Sequence, residues 1–178
     1  MSAYKIVVTG PFASGKTQFI KTISDIDVVS TERKITTEDS GIKAETTVAM
    51  DYGRVKIGDD TLYLYGTPGQ TRFDFMREIL SNEMDAYLML VDSTDGLTFS
   101  EAGDLIEQFA GFAVPYLVVA NKTDLEGHQS LAEVRRGTRA SNDITVIPCA
   151  ATQKSSVRQV LLQVIELLKR RDAELKRE

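Results

Sequence analysis

The segment that most restricts the fold of this chain is GPFASGKT, which runs from Gly10 to Thr17. It matches the pattern G-x-x-x-x-G-K-[ST] and lies between the apolar run KIVVT and a helical pattern that begins at Lys16. In this strand–loop–helix context, the loop amides hold phosphate oxygens and the helix N-terminus favours negative charge. The segment therefore predicts a nucleoside triphosphate site, with the phosphates contacted by Gly10, Pro11, Phe12, Ala13, Ser14, Gly15, Lys16 and Thr17.

Two of these side chains have predicted chemical roles. Lys16 is expected to reach the terminal phosphates, and the Thr17 hydroxyl is expected to bind Mg²⁺. Kinases, ATPases and GTPases share the pattern, so it selects neither the base nor the reaction.

The rest of the chain alternates short apolar runs with helical patterns, which is typical of a parallel sheet built from βαβ units. Two runs, Thr47 to Ile57 and Leu62 to Tyr65, flank the polar turn Gly58-Asp59-Asp60 and are predicted to form an antiparallel hairpin. With 178 residues and no interdomain linker, we expect one α/β domain, residues 1–178. The other strands, continuously apolar as buried strands are, are predicted at Tyr4 to Thr9, Ala86 to Val91, Tyr116 to Ala120 and Ile144 to Ile147.

Three further segments carry structural expectations. The pattern Thr98-x-x-Glu101 is typical of a capping box at a helix start. Val29 to Glu45 has no clear periodicity, which predicts a long loop that is either functional or mobile. The last helix is expected to end in a solvated, mixed-charge stretch, KRRDAELKRE, after an apolar stripe of Val157, Val160, Leu161, Val164 and Leu168.

The segment NKTD, from Asn121 to Asp124, follows the apolar strand PYLVVA, at the sheet edge where open α/β folds bind ligands. The Asp124 carboxylate can accept hydrogen bonds from the ring N–H and the exocyclic amine of guanine. Adenine lacks that ring N–H and would leave a buried acceptor unpaired, at a cost of about 1–3 kcal/mol. Lys122 is expected to lay its aliphatic stem over the base, and Asn121 to brace the loop.

A weaker base contact is expected at the end of the last strand, in CAAT, Cys149 to Thr152. Backbone amides around Ala151 are placed to face the guanine oxygen. Cys149 itself is predicted to be a small buried apolar residue, since nothing nearby marks it as a nucleophile.

With GPFASGKT, TPGQ, NKTD and CAAT in this order, the chain resembles the Ras-like small GTPases, and among them prokaryotic members such as the Mgl-type bacterial polarity GTPases. The similarity runs from Lys5 to the last helix. It implies a P-loop NTPase fold: a six-stranded, mostly parallel sheet of order 2-3-1-4-5-6, with one antiparallel strand and flanking helices. It also implies GTP and GDP binding with Mg²⁺, slow hydrolysis, and two loops that change shape with the γ-phosphate.

The resemblance assigns roles to residues position by position. Thr47 matches the threonine that closes over Mg²⁺ and the γ-phosphate, with Thr46 as the alternative match. Gly69 matches the glycine whose amide contacts the γ-phosphate, and Gln70 matches the glutamine that positions the attacking water. The base motif and its weaker partner match at Asn121, Lys122, Asp124, Ala150, Ala151 and Thr152.

One residue of the family pattern is missing, because an aspartate usually stands three positions before Gly69, where this chain has Gly66. Either the protein binds Mg²⁺ poorly, or it binds Mg²⁺ without that outer-shell partner, or another acid replaces it. If Gly58 and Asp59 form a two-residue turn, Asp51 lies opposite Gly66, and the Cβ atoms of such a pair are about 4.5–5.5 Å apart. The hairpin therefore favours Asp51 as the replacement, holding Mg²⁺ through water.

These assignments predict a GTPase that acts as a molecular switch, in which Gln70 orients water and Lys16 stabilises charge on the phosphates. Arg33 and Arg72 are candidate arginine fingers, and without a finger hydrolysis is slow, since fingers contribute about 10³–10⁵ in kcat. We therefore expect a regulatory partner of the GTPase-activating or exchange type, and an effector. In the resembled prokaryotic group such partners are often roadblock-domain proteins.

Two other functions remain open at the level of sequence. One is a nucleotide-locked module that binds GTP or GDP with negligible hydrolysis, which Gly66 and Phe12 favour and Gln70 and Thr47 oppose. Single-turnover hydrolysis separates that module from the switch. The other is an ATP-using kinase, which NKTD and the lack of a lid segment disfavour, and which competition between GTP and ATP would test.

Composition narrows the partners and the compartment. The net charge of −5 argues against broad binding of nucleic acid. No apolar stretch approaches the roughly 20 residues of a membrane helix, and no lipidation signal occurs, so no membrane anchor is expected in the chain. A single cysteine cannot form an intramolecular disulfide. We expect a cytoplasmic protein.

Overall fold

A computed structural model of the chain describes residues 1–39, 42–68 and 84–178. The strands are β1 (Ala3–Thr9), β2 (Val29–Asp39), β3 (Ile42–Ile57), β4 (Asp60–Gly66), β5 (Ala86–Asp92), β6 (Tyr116–Asn121) and β7 (Val146–Pro148). The α-helices of the described residues are α1 (Lys16–Ile23), α2 (Phe99–Phe109), α3 (Leu131–Thr138) and α4 (Lys154–Leu175). The strands form one sheet in the order β2-β3-β4-β1-β5-β6-β7.

The predicted α/β fold and strand order are confirmed. The six predicted strands are β1 and β3 to β7, and they follow one another in the predicted order, with β3 antiparallel to β4. Strands β4, β1, β5, β6 and β7 are mutually parallel. Because helices cover both faces of the central strands, β5 and β6 bury nearly every residue, which explains their unbroken apolar sequences.

The prediction of a long loop from Val29 to Glu45 is wrong. The described residues of this segment, 29–39 and 42–45, form β2 and the first part of β3, which pair from Val29 opposite Tyr52 to Asp39 opposite Ile42. Since β3 pairs with β4 only from Asp51 onward, residues 42–50 of β3 pair with β2 alone. Polar residues dominate the sequence of β2, so no hydrophobic period marks it as a strand, and its backbone pairing with β3 is what creates it.

Two apolar layers cover the sheet. Helices α1 and α4 pack on one face, where α4 buries the whole predicted stripe. Helices α2 and α3 pack on the other face, in a cluster that contains Phe99, Phe109 and Val134. Cys149 is buried in the first layer, as predicted, and this burial raises the pKa of its thiol.

The capping box predicted at Thr98 is also wrong. The Thr98 side chain accepts no capping hydrogen bond; its hydroxyl instead donates to the carbonyl of Asp95, at 2.7 Å. A 3-10 turn, Gly96–Thr98, leads directly into α2, so the backbone at Thr98 is already helical. A capping box occurs instead at α3, where Ser130 and Glu133 exchange hydrogen bonds.

The charged end of the last helix is only partly solvated. Lys169 forms an ion pair of 2.7 Å with the buried Asp60, at the start of β4. Asp172 accepts a hydrogen bond of 3.2 Å from the Tyr4 hydroxyl. These contacts fix the C-terminal half of α4 to the sheet edge opposite the phosphate loop.

Candidate nucleotide site

The phosphate loop leaves the end of β1 and enters α1 as predicted, and its backbone requires glycine at two positions. Gly10 has φ +149°, and a Cβ there would lie 2.1 Å from the carbonyl oxygen of Leu90. Gly15 has φ +100°, and a Cβ there would lie 2.3 Å from the Asn121 amide nitrogen. The loop is therefore packed against β5 and the base segment too closely for any side chain at either position.

Lys16 folds back over the loop. Its ammonium donates to the carbonyl oxygens of Gly10 at 2.7 Å and Pro11 at 2.9 Å. Burial lowers the pKa of Lys16 to about 8, although the charges of Glu101 and Asp51 act in the opposite direction. A buried ammonium held by two carbonyls gains from the arrival of phosphate charge.

The loop borders a cavity of about 440 Å³, within the size range of nucleotide and cofactor sites. It is lined by residues 12–18, Asp51, residues 66–68 and Lys122. Ser14, at the cavity floor, has a buried hydroxyl with no hydrogen-bond partner in the described chain. At the rim, Phe12 is 71% exposed, so its ring does not contribute to the core.

The predicted register of the β3–β4 hairpin is confirmed, because Asp51 pairs with Gly66. A Cβ built on Gly66 would lie 3.3 Å from the Cβ of Asp51 and 2.9 Å from the Cδ1 of Ile20. The Asp51 carboxylate accepts a hydrogen bond of 2.6 Å from the Thr17 hydroxyl. An acid from the neighbouring strand therefore meets the threonine of the phosphate loop, across a residue that has no side chain.

At the base segment, Asn121 links three parts of the chain. Its side chain is buried, donates to the carbonyl of Ser14 at 2.9 Å, and accepts from the amide of Ala151 at 3.0 Å. Asp124 is exposed and makes no hydrogen bond among the described residues, so both of its oxygens are open to a ligand. These two hydrogen bonds are the contacts through which Asn121 would brace the loop.

At the predicted weaker base contact, fewer backbone amides are open to a ligand than the sequence indicated. The amide of Ala150 donates to the Ser156 hydroxyl at 2.8 Å, and the amide of Ala151 is used by Asn121. Within the described chain the amide of Thr152 has no partner. Thr152 is exposed, which leaves its amide as the donor open to a base.

Asp92, the last residue of β5, is a site residue that sequence reasoning missed. Its carboxylate forms an ion pair of 2.7 Å with Lys122, whose ammonium also donates to the carbonyl of Ala13 at 3.0 Å. Asp92 pairs with Asn121 across the parallel strands. The available signal was an acid directly after a fully apolar strand, at the carboxyl edge of the sheet.

Comparison with known proteins agrees with this geometry. A family model described as the Ras family matches residues 5–170. The chain belongs to the Ras family. It is 35% identical over 121 residues to an uncharacterized protein of Methanocaldococcus jannaschii, which covers 68% of this chain and 71% of that protein.

Two other relatives share less of their length with the chain. The Ras and EF-hand domain-containing protein of Xenopus tropicalis is 29% identical over 184 residues, 97% of this chain but 24% of that protein. ADP-ribosylation factor-related protein 1 of Homo sapiens is 26% identical over 139 residues, 74% of this chain and 65% of that protein. The chain is a small GTPase, and GTP and GDP are the nucleotides that its family binds.

The remaining predicted residues are those to which the sequence assigned roles at the γ-phosphate. Thr47 lies in β3, paired with Lys34, and four residues before Asp51, or about 13 Å along a strand. Arg33 lies in β2, paired with Val48. The predicted residues Gly69, Gln70 and Arg72 lie outside the described residues.

Thr17 and Asp51 fit the Mg²⁺ that typically accompanies nucleotide in the Ras family. Mg²⁺ prefers oxygen ligands and keeps several of its waters, with one or two side chains and substrate phosphates completing its shell. A hydroxyl and a carboxylate 2.6 Å apart, at the end of the phosphate loop, supply the oxygens for a direct and a water-mediated contact.

No described helix is long and apolar enough to cross a membrane.

Proposed function

We propose that the protein is a GTP/GDP switch that hydrolyses GTP slowly alone and faster with a partner, and that Asp51 replaces the acid missing at Gly66. One observation carries this proposal: the Asp51 carboxylate is 2.6 Å from the Thr17 hydroxyl, directly opposite Gly66. A chain that had lost Mg²⁺ binding would have no need for an acid at that point. The loss of one carboxylate is therefore offset on the neighbouring strand.

In this proposal Thr17 binds Mg²⁺ directly and Asp51 binds it through a water. The bound ion neutralises charge on the β- and γ-phosphates. Asp51 orients that water, and its negative charge complements the ion in a half-buried site. Gly66 keeps the space free, since a side chain there would meet Asp51 and Ile20.

The remaining roles are distributed around the phosphates. Lys16 turns from the loop carbonyls toward the β- and γ-phosphates and stabilises charge there. Gln70 orients the attacking water, and the amide of Gly69 contacts the γ-phosphate. At the base, Asp124 accepts from guanine, and the amide of Thr152 donates to its oxygen.

A matched pair of variants tests the role of Asp51. Asp51→Ala is expected to weaken Mg²⁺-dependent GTP binding about tenfold, the cost of one charged hydrogen-bonding partner, while GDP binding without Mg²⁺ stays nearly unchanged. Titrating Mg²⁺ against GTP-loaded protein measures the effect. Asp59→Ala, an exposed carboxylate in the turn of the same hairpin, serves as the control. An unchanged Mg²⁺ requirement in Asp51→Ala would refute the role.

One observation favours the nucleotide-locked module as a second candidate. Thr47 is paired into the β2–β3 ribbon, about 13 Å along the strand from Asp51, so it can reach the metal only if this pairing changes. In the switch, GTP binding breaks the pairing of β2 with β3 around Thr47. In the locked module, this pairing persists. Single-turnover hydrolysis, alone and with candidate regulatory partners and effectors, separates the two. No phosphate release under any condition would establish the locked module.

A further inference from the structure

We propose that Asp92 is a positioning residue for the guanine site, which holds Lys122 against the base and joins the base segment to the phosphate loop. The inference rests on the proposed use of this site for GTP and GDP. It assigns a role to a residue at the end of β5 that belongs to neither the phosphate motif nor the base motif.

The contacts of Lys122 define what Asp92 does. The Lys122 ammonium is shared between the Asp92 carboxylate, at 2.7 Å, and the carbonyl of Ala13, at 3.0 Å. The backbone of Lys122 is left-handed, with φ +64°, and so is that of Ala13, with φ +61°. Asp92 and the carbonyl of Ala13 thus hold the Lys122 stem at the wall of the cavity, between two loops with strained backbones.

Asp92 is itself held rigidly. Its other carboxylate oxygen accepts from the Thr94 amide at 2.9 Å and from the Thr94 hydroxyl at 2.6 Å. Its side chain is 15% exposed, against 31% for Lys122. Burial raises the pKa of Asp92, but the hydrogen bonds from Lys122 and Thr94 lower it by more, so the carboxylate is charged at neutral pH.

The neighbouring residue supports the base segment from the same side. Ser93 is fully buried, and both its amide and its hydroxyl donate to the carbonyl of Asn121, at 3.0 and 2.6 Å. The turn after β5 therefore holds the backbone of Asn121 and the side chain of Lys122 together. Such support reduces the conformational freedom that nucleotide binding would otherwise have to remove.

This arrangement separates two parts of base recognition. Asp124 reads the edge of guanine, whereas the Lys122 stem covers its face and does not distinguish one purine from another. Because Asp92 acts through Lys122, it is expected to affect nucleotide retention and not base selectivity. A residue with a merely structural role would change the melting temperature without this pattern.

The test measures release of a fluorescent GDP from the full chain. Asp92→Asn keeps the shape and the acceptor for Thr94 but removes the charge, and should speed release about tenfold. Lys122→Met should speed release at least as much, and adding Asp92→Asn to it should have no further effect. The ratio of GDP to IDP affinity should stay unchanged. Asp104→Asn, which breaks the exposed pair with Arg139 at 2.6 Å, should leave release unchanged.

The outcomes distinguish this inference from the function on which it rests. Wild-type protein that retains no GDP would refute the proposed function. Wild-type protein that retains GDP, with release unchanged in Asp92→Asn or with additive effects in the double variant, would refute the role of Asp92 alone. If Asp92→Asn does not fold, Thr94→Val, which removes one donor to Asp92, replaces it, with a smaller expected acceleration.

Discussion

The two ends of the nucleotide site are built differently. At the guanine end, Asn121 and Lys122 tie β6 to the phosphate loop and to the strand ends beside it. At the γ-phosphate end, the contact between Thr17 and Asp51 joins β3 to the loop. Thr47 is held in the β2–β3 ribbon, away from that contact.

This difference has a physical consequence for a switch. A guanine end held in place by the protein's own hydrogen bonds binds GDP and GTP equally, because both present the same base and little ordering is left for the ligand to cause. An end that the γ-phosphate must rearrange responds to GTP alone, since only a ligand with different affinity for two states shifts their populations. In the proposed switch, the guanine end would retain the nucleotide, and the β3–β4 hairpin together with the paired strands β2 and β3 would respond to the γ-phosphate.

The largest expected effect comes from breaking the rigid end at Asn121. Asn121→Ala leaves the buried carbonyl of Ser14 and the amide of Ala151 unpaired, at about 1–3 kcal/mol each, so GDP affinity should fall at least about thirtyfold. Isothermal titration with GDP measures the loss. The exposed Asn142→Ala serves as the control. A loss below tenfold in folded Asn121→Ala would mean that the guanine end is not pre-organised by this side chain.

A second variant tests whether Asp51 and the absent side chain of Gly66 occupy the same space. Gly66→Asp should reduce the free energy of unfolding by about 1–3 kcal/mol, because the new Cβ meets Ile20 and Asp51 at short distance. Combined with Asp51→Ala, the same change should cost less and restore part of the Mg²⁺ dependence of GTP binding. Urea unfolding measures the free energy of unfolding, and Mg²⁺ titration measures the Mg²⁺ dependence of GTP binding. Purely additive costs, with no recovery, would show that the two positions are independent.

The smallest expected effect is the proton linkage of Lys16. Burial holds its pKa at about 8 in the free protein, and bound phosphate charge favours the protonated form, so binding takes up a proton above that pH. GDP affinity should therefore fall about fourfold between pH 7 and pH 8.5. Titrations in buffers of different ionisation enthalpy measure the uptake, and Lys16→Met should abolish it. Equal uptake in that variant would assign the proton to another group.

The same shift predicts how the stability of the free protein depends on pH. Unfolded lysine keeps its ordinary pKa of about 10.5, so the unfolded chain binds more protons than the native one above about pH 8. The Lys16 contribution to the free energy of unfolding therefore rises with pH between about pH 8 and pH 10.5, and is constant below about pH 8.

How far the sequence predicted the structure depended on the range of the interactions. The apolar stripe of α4 followed from its periodicity, since that face packs against a continuous core, whereas the strand order followed from the resemblance to the Ras-like GTPases. The pairing of Asp51 with Gly66 followed from the two-residue turn, because a hairpin turn sets the register of its strands. β2 was missed because backbone pairing creates it and no apolar pattern marks it.

The predictions of a capping box at Thr98 and of a solvated end of the last helix were wrong for a related reason. Thr98 has the spacing of a capping box, but a preceding 3-10 turn had already satisfied the helix start. Lys169 reads as a solvated charge until the tertiary structure brings the buried Asp60 within 2.7 Å of it. Asp92 was missed because its partner Lys122 lies on the next strand, thirty residues away.

The sequence by itself determined the family, the phosphate loop, the guanine segment and the hairpin that faces Asp51 toward Gly66. These features depend on short-range patterns, in which spacing along the chain sets the geometry. Only the tertiary structure decided that the Asp51 carboxylate meets Thr17 and that Asp92 holds Lys122. Each of these depends on residues far apart in sequence, whose distance is set by the packing of the sheet.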